Sequence, residues 1–256
     1  MPSGKRSKQQ RQAKPPPVQS KGGGGGGFNL SRRALIIGAV VLVVLIGLGV
    51  GLGIGLGSSS GSSGTNTVSS KDLVPAPPLG PPGPEGPPLE TGPNLAPTGS
   101  LSPGQSVDGI QCQAGEQVAE HTHSRLTVFV NGHSEKVPYG VGIADPQLQQ
   151  GIGLPFVVSG SCFSWLHTHT TDGVIHTEAP LQHTYTLGNF FDVWGQPLSS
   201  TQAGQAKGTV TAFLNGKQWT GDPRSIPLAA HAQVQLDVGT PLVAPVHMPQ
   251  SDWGHL

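Results

Sequence analysis

Between Cys162 and Glu178 the chain reads Cys-Phe-Ser-Trp-Leu-His-Thr-His-Thr-Thr-Asp-Gly-Val-Ile-His-Thr-Glu, which places a thiol, three imidazoles and two carboxylates within seventeen residues. In an extended chain, side chains two apart point to one face. His167 and His169 are therefore expected together, as are His176 and Glu178. Asp172-Gly173 between them is a hairpin-turn dipeptide that would lay the two pairs side by side. A third pair of the same parity, His121 and His123, stands upstream in another expected strand.

Neutral imidazole is the commonest ligand for transition metals, and zinc or copper accepts four N, S or O donors near 2.0–2.3 Å. The expected ligand set is His121, His123, His167, His169, His176 and Glu178, holding a transition metal, Zn or Cu. Six donors exceed one tetrahedral site, so some act as outer partners or two ions bind. Asp172 is the natural outer carboxylate. The competing reading for each pair is an exposed, hydrogen-bonded histidine without a ligand, or a cluster that senses pH as it protonates. His133, His183, His231, His247 and His255 lack a matched partner and are assigned no role.

Cys112 and Cys162 are the only cysteines. Outside the cytoplasm a disulfide is the default. It would contribute about 4 kcal/mol in the chain-entropy model and gather the histidine pairs. The alternatives are two free thiols or a copper thiolate, since Cys162 with His167 resembles a blue-copper ligand loop. That loop carries a methionine where this chain has Thr170, Thr171 and Asp172, and it would leave Cys112 unpaired.

The elements that must position these residues are mostly strands. Arg125–Val130 alternates and runs into Asn131-Gly132, and Thr209–Leu214 runs into Asn215-Gly216, both favoured two-residue hairpin turns. The two segments align over eight residues at a separation of 84, from an internal duplication or from one turn solution used twice. Val234, Leu236 and Val238 alternate with Gln233, Gln235 and Asp237, the pattern of a half-buried strand with a wet face. Leu187, Phe190, Phe191 and Trp194 share one helical face, with Thr186 as N-cap and Gly195 as C-terminal stop. The expected ectodomain is mainly β with one short helix, an α+β unit that is β-grasp-like or sandwich-like.

Gly and Pro make up 64 of 256 residues, so only part of the chain is expected to be globular. Residues 1–33 carry eight Lys or Arg and no acid, the composition of a disordered, basic cytoplasmic tail. Residues 34–56 are apolar and uncharged, long enough to cross a bilayer as a single transmembrane helix. Arg32 and Arg33 before it, with no basic residue until Lys71, place the N-terminus in the cytoplasm and the rest extracytoplasmic. A cleaved signal peptide is the competitor, but the apolar stretch is long for one and no Ala-x-Ala site follows. Gly47-x-x-x-Gly51 would allow two such helices to pair as a homodimer. Residues 57–106 are Gly/Ser- and then Pro-rich and read as a linker, with eleven prolines between Pro75 and Pro103. Fully extended, such a spacer would reach up to about 150 Å. The folded domain is expected over 107–240, and 241–256 reads as a Pro-rich tail. Residues 106–256 hold five Lys or Arg against eleven Asp or Glu, so no nucleic-acid role is expected.

Taken together, Cys112, His121-Thr122-His123, Phe129-Val130-Asn131-Gly132, Cys162 through His169, Gly173-Val-Ile-His176-Thr-Glu178 and Thr186 through Gly195 resemble a family of bacterial membrane-anchored proteins. The resemblance covers roughly residues 107–240. It implies membrane attachment and a motif that acts as one unit, and it implies no reaction. The cupin and metallo-β-lactamase patterns fit poorly, because Glu178 lies nine positions beyond His169 and Asp172 is followed by Gly173. Three functions follow: a tethered module that captures or senses a metal ion; a metal-dependent hydrolase using Glu178 or Asp172 as general base; or an adhesive ectodomain without metal. No nucleophile motif or nucleotide loop supports the second.

Overall fold

The alternating stretches around Arg125 and Gln233 become neighbouring strands of one sheet. The computed structural model describes residues 67–151 and 153–256. The basic tail, the apolar stretch with its glycine pattern, and the start of the Gly/Ser segment lie outside the described residues. Among the described residues no helix is long and apolar enough to cross a membrane.

The central sheet has seven strands: β1 (Glu120–Val130), β2 (His133–Glu135), β3 (Leu166–His167), β4 (Val174–Ala179), β5 (Val210–Leu214), β6 (Lys217–Trp219) and β7 (Gln233–Val238). Their order is β3-β4-β1-β7-β5-β6, with β2 continuing the β4 side of the long strand β1. All pairs in this sheet are antiparallel except β1 with β7, which is parallel. The β1–β2 and β5–β6 hairpins turn at the two Asn-Gly dipeptides, with Asn131 and Asn215 at φ +50° and their glycines also at positive φ, as this turn type demands.

Even-numbered residues of β1 and odd-numbered residues of β4 face the main core. Leu126, Val128, Ile175 and Ala179 pack there with Val234, Leu236 and Val238. One α-helix among the described residues, α1 (Leu187–Trp194), completes this layer. Thr186 caps it and Gly195 ends it at φ +70°, with Leu187, Phe190, Phe191 and Trp194 all buried in the core. The helix and its limits agree with the sequence pattern. The described residues are mainly β with one α-helix.

The opposite face of the sheet differs from expectation. It is polar, yet covered. Pro75–Pro103 is not a free spacer: Leu95 and Ala96 enter the core, and Leu73–Val74 pairs in parallel with Leu242–Val243. Leu95 donates its N–H to Lys136 O at 2.9 Å, Glu90 donates to Thr171 O at 2.8 Å, and the Trp194 indole donates to Pro97 O at 2.7 Å. The domain therefore begins well before 107, and its proline-rich strap adds no reach. Prolines bring carbonyls without N–H donors, and donor side chains of the sheet meet this segment. Arg125 donates to Pro88 O at 3.3 Å and ion-pairs with Glu90, and Thr127 donates to Glu90 at 2.9 Å.

The Pro-rich tail at 241–256 is likewise packed, with Val243, Met248 and Trp253 buried. It lies over the expected wet face of β7. Gln233 and Gln235 use their amides as strand edges would: each accepts a tail N–H (Met248 and Val246, both 2.8 Å) and donates to a tail carbonyl (Met248 at 2.9 Å and Val243 at 3.0 Å). Gln235 and Asp237 end up buried. Alternation found the two faces correctly; it carried no information about what covers the second.

Candidate metal centre

The histidine pairs lie on the polar face, and strand register brings them together. His123 stands opposite His176 and His121 opposite Glu178 across the β1–β4 ladder, while His176 stands opposite His167 across β3–β4. A row of three imidazoles thus spans three strands. The His123 and His176 ring centroids are 4.5 Å apart, and His167 stacks on His176 at 5.2 Å.

His169 arrives differently from the expected alternation. β3 ends at His167, and Asp172-Gly173 closes a six-residue connection instead of a two-residue turn. Gly173 is required where this connection meets β4: at φ +78°, a Cβ there would lie 2.3 Å from Leu126 O. His169 is held by backbone pairing with Val157, which donates its N–H to His169 O at 2.9 Å. Its ring lies 4.6 Å from that of His176, with Phe156 stacked on it at 5.4 Å. The Cys112–Cys162 disulfide is formed, so no thiolate is left to ligate, and it ties Ile110–Gln113 to the strand preceding His167.

All six expected residues meet. One ligand atom from each of His121, His123, His176 and Glu178 lies within 4.8 Å of the others, and the same holds for His167, His169, His176 and Glu178. His121 is half exposed; the other five are buried. Two acids had no signal in the sequence. Glu85, buried at the turn of the proline-rich strap, places Oε1 3.0 Å from His176 Nε2. Glu116, from the loop after Cys112, lies 3.6 Å from His169 Nε2. The five unmatched histidines fall outside these groups.

Proton placement is constrained by carbonyl oxygens, which only accept. His167 Nδ1 donates to Ser164 O at 2.8 Å and His169 Nδ1 to Val157 O at 2.6 Å. In the neutral rings each Nε2 is then a bare lone pair, and the two face each other at 3.1 Å. Burial, reinforced by the neighbouring His176, lowers the pKa of both rings, that of His167 most strongly. His123 falls to about 3 for the same reasons. Burial also opposes charge on His176, but Glu178 and Glu85 outweigh it and raise this ring to about 9. Glu85 is lowered: burial would raise it, and His176 more than compensates. Burial and the Glu85 charge push Asp172 up to about 7, although its Oδ1 accepts the Val174 N–H at 2.9 Å.

Unpartnered buried polar atoms concentrate here: His123 Nε2, Glu178 Oε2, Glu85 Oε2 and Asp172 Oδ2. Each such atom costs roughly 1–3 kcal/mol when left alone. A cation at the centre would satisfy several at once. The donors are nitrogen and oxygen without sulfur, a set suited to Zn(II) or Cu(II). The cluster is compatible with a bound metal ion.

No protein-family model matches the chain, and no curated protein or solved structure matches it either.

Proposed function

We propose that this protein is a membrane-tethered extracytoplasmic domain that captures or senses a transition-metal ion, zinc or copper, through its clustered histidines. The observation that carries the reading is the pair of buried Nε2 lone pairs facing each other at 3.1 Å, with more imidazoles and carboxylates around them. Two lone pairs at that distance repel unless a cation stands between them, and lowered pKa values argue against a proton in that place. The disulfide supports an oxidising compartment. The apolar residues 34–56, flanked by Arg32 and Arg33, support a single span with the domain outside.

The test is metal analysis of protein purified without a polyhistidine tag and dialysed against Zn(II) or Cu(II). The expected result is tight, stoichiometric metal, reduced in His167→Ala/His169→Ala. Metal content unchanged in that variant would remove the cluster as the ligand set. For topology, protease added to intact cells is expected to degrade the C-terminal domain, and protection would overturn the proposed orientation.

A further inference from the structure

We infer that the centre holds two divalent transition-metal ions, with His176 and Glu178 as the ligands they share. The inference rests on the metal-binding reading and goes beyond it in the number of ions and the division of ligands between them.

The candidate donors, all buried except His121, form two sets of four that overlap only in His176 and Glu178. One set adds His121 and His123 from β1; the other adds His167 and His169 from β3 and its connection. The added pairs approach His176 separately, with His123 at 4.5 Å between ring centroids, His169 at 4.6 Å and His167 at 5.2 Å.

Donor capacity matches this division. His167 and His169 have each committed Nδ1 to a backbone carbonyl, so each has one nitrogen to give. The shared residues have two donor atoms each. Both His176 ring nitrogens are buried and face carboxylates, Nε2 with Glu85 Oε1 at 3.0 Å and Nδ1 with Glu178 Oε1 at 3.4 Å, while Glu178 Oε2 lacks a partner. A single tetrahedral ion would use four donors and leave at least two of the six donor atoms on these four residues without a metal. Two ions use them all: His176 gives up one ring proton to solvent as the first ion enters and the other as the second enters.

The test uses the full-length chain in detergent, stripped of metal and titrated with Zn(II) or Cu(II). Two ions per chain are expected. His121→Gln/His123→Gln and His167→Gln/His169→Gln should each retain one. With Cu(II), the electron paramagnetic resonance signal should grow to one equivalent and fall toward the second as the coupled pair forms. Circular dichroism and an intact disulfide establish folding. If a double variant fails to fold, His121→Gln alone, at the half-exposed position, is expected to weaken one equivalent about tenfold and spare the other. Saturation at one ion, or loss of all metal in either folded double variant, overturns the inference and leaves metal binding standing. No binding by the wild-type chain overturns the proposed function itself.

Discussion

His167 Nε2 and His169 Nε2 face each other at 3.1 Å while their Nδ1 atoms donate to Ser164 O and Val157 O. That separation is close to the ~3.3 Å edge of a tetrahedron with metal–nitrogen bonds near 2.0 Å. Backbone carbonyls from two different segments hold the two rings in ligand orientation before any ion arrives, so little side-chain entropy remains to be lost on binding.

Removing one of these rings should separate binding from folding. His169→Ala is expected to lower metal affinity on the order of 100-fold or more, since even outer partners of metal sites contribute 10–100-fold. In wild type, each ion at about 100 times its Kd should stabilise the fold by about 2.7 kcal/mol, and the share of the site that holds His169 should shrink to about 0.4 kcal/mol in the variant. Thermal melts with and without Zn(II) measure both. An increment unchanged in His169→Ala would count against this ring as a ligand.

Metal affinity should rise with pH. In the ion-free protein the two carboxylates beside His176 raise its pKa to about 9, so below that pH an entering ion must displace its proton. Apparent affinity for the first ion should climb about tenfold per pH unit between pH 6.5 and 9 and flatten above. Stability of the ion-free fold runs the other way. The His176 contribution is fully present below its unfolded value near 6.5 and is lost as pH rises through about 9. Isothermal titration across this range, with melts of the stripped protein, tests both slopes.

Leu95 sits in a proline-rich stretch and in the core. Leu95→Ala is therefore expected to cost about 2–5 kcal/mol in denaturant unfolding, where the same change in a free spacer would cost nothing. Limited proteolysis should also spare residues 75–103 until the domain unfolds.

Asp237 tests the roof over β7. Burial pushes its carboxyl up to about 7 against the hydrogen bonds from Gln235 and Val243, and its Oδ1 has no partner. A raised acid pKa means that the fold binds the proton more tightly than the unfolded chain, so stability falls as pH rises from about 4 to 7. Asp237→Asn keeps an acceptor for Gln235 and Val243 without the charge. It should melt several degrees above wild type at pH 8, with the gap shrinking toward pH 4.5. A constant gap across that range would place the effect elsewhere.

Features set by neighbours along the chain were legible without coordinates. Thr186 and Gly195 bound the helix because capping and left-handed termination act within a few residues. Asn131-Gly132 and Asn215-Gly216 mark their turns because few other dipeptides hold two positive φ angles. Strand parity put His121 with His123 and His176 with Glu178, since a period of two needs no tertiary information. The pairing of Cys112 with Cys162 followed from their being the only two.

Tertiary structure decided what no local period encodes. Ladder register made His123, His176 and His167 one row, and it depends on which strands pair. His169 left its strand and was recaptured by Val157. Glu85 came from a segment whose prolines read as linker, because composition reports how stiff a chain is and not what it lies against. The amino-acid order specified two faces of a sheet and the donors on one of them. Folding the strap and tail over that face took the donors out of water, and only in that dry setting do opposed lone pairs and unpartnered carboxylates become a reason to bind a cation.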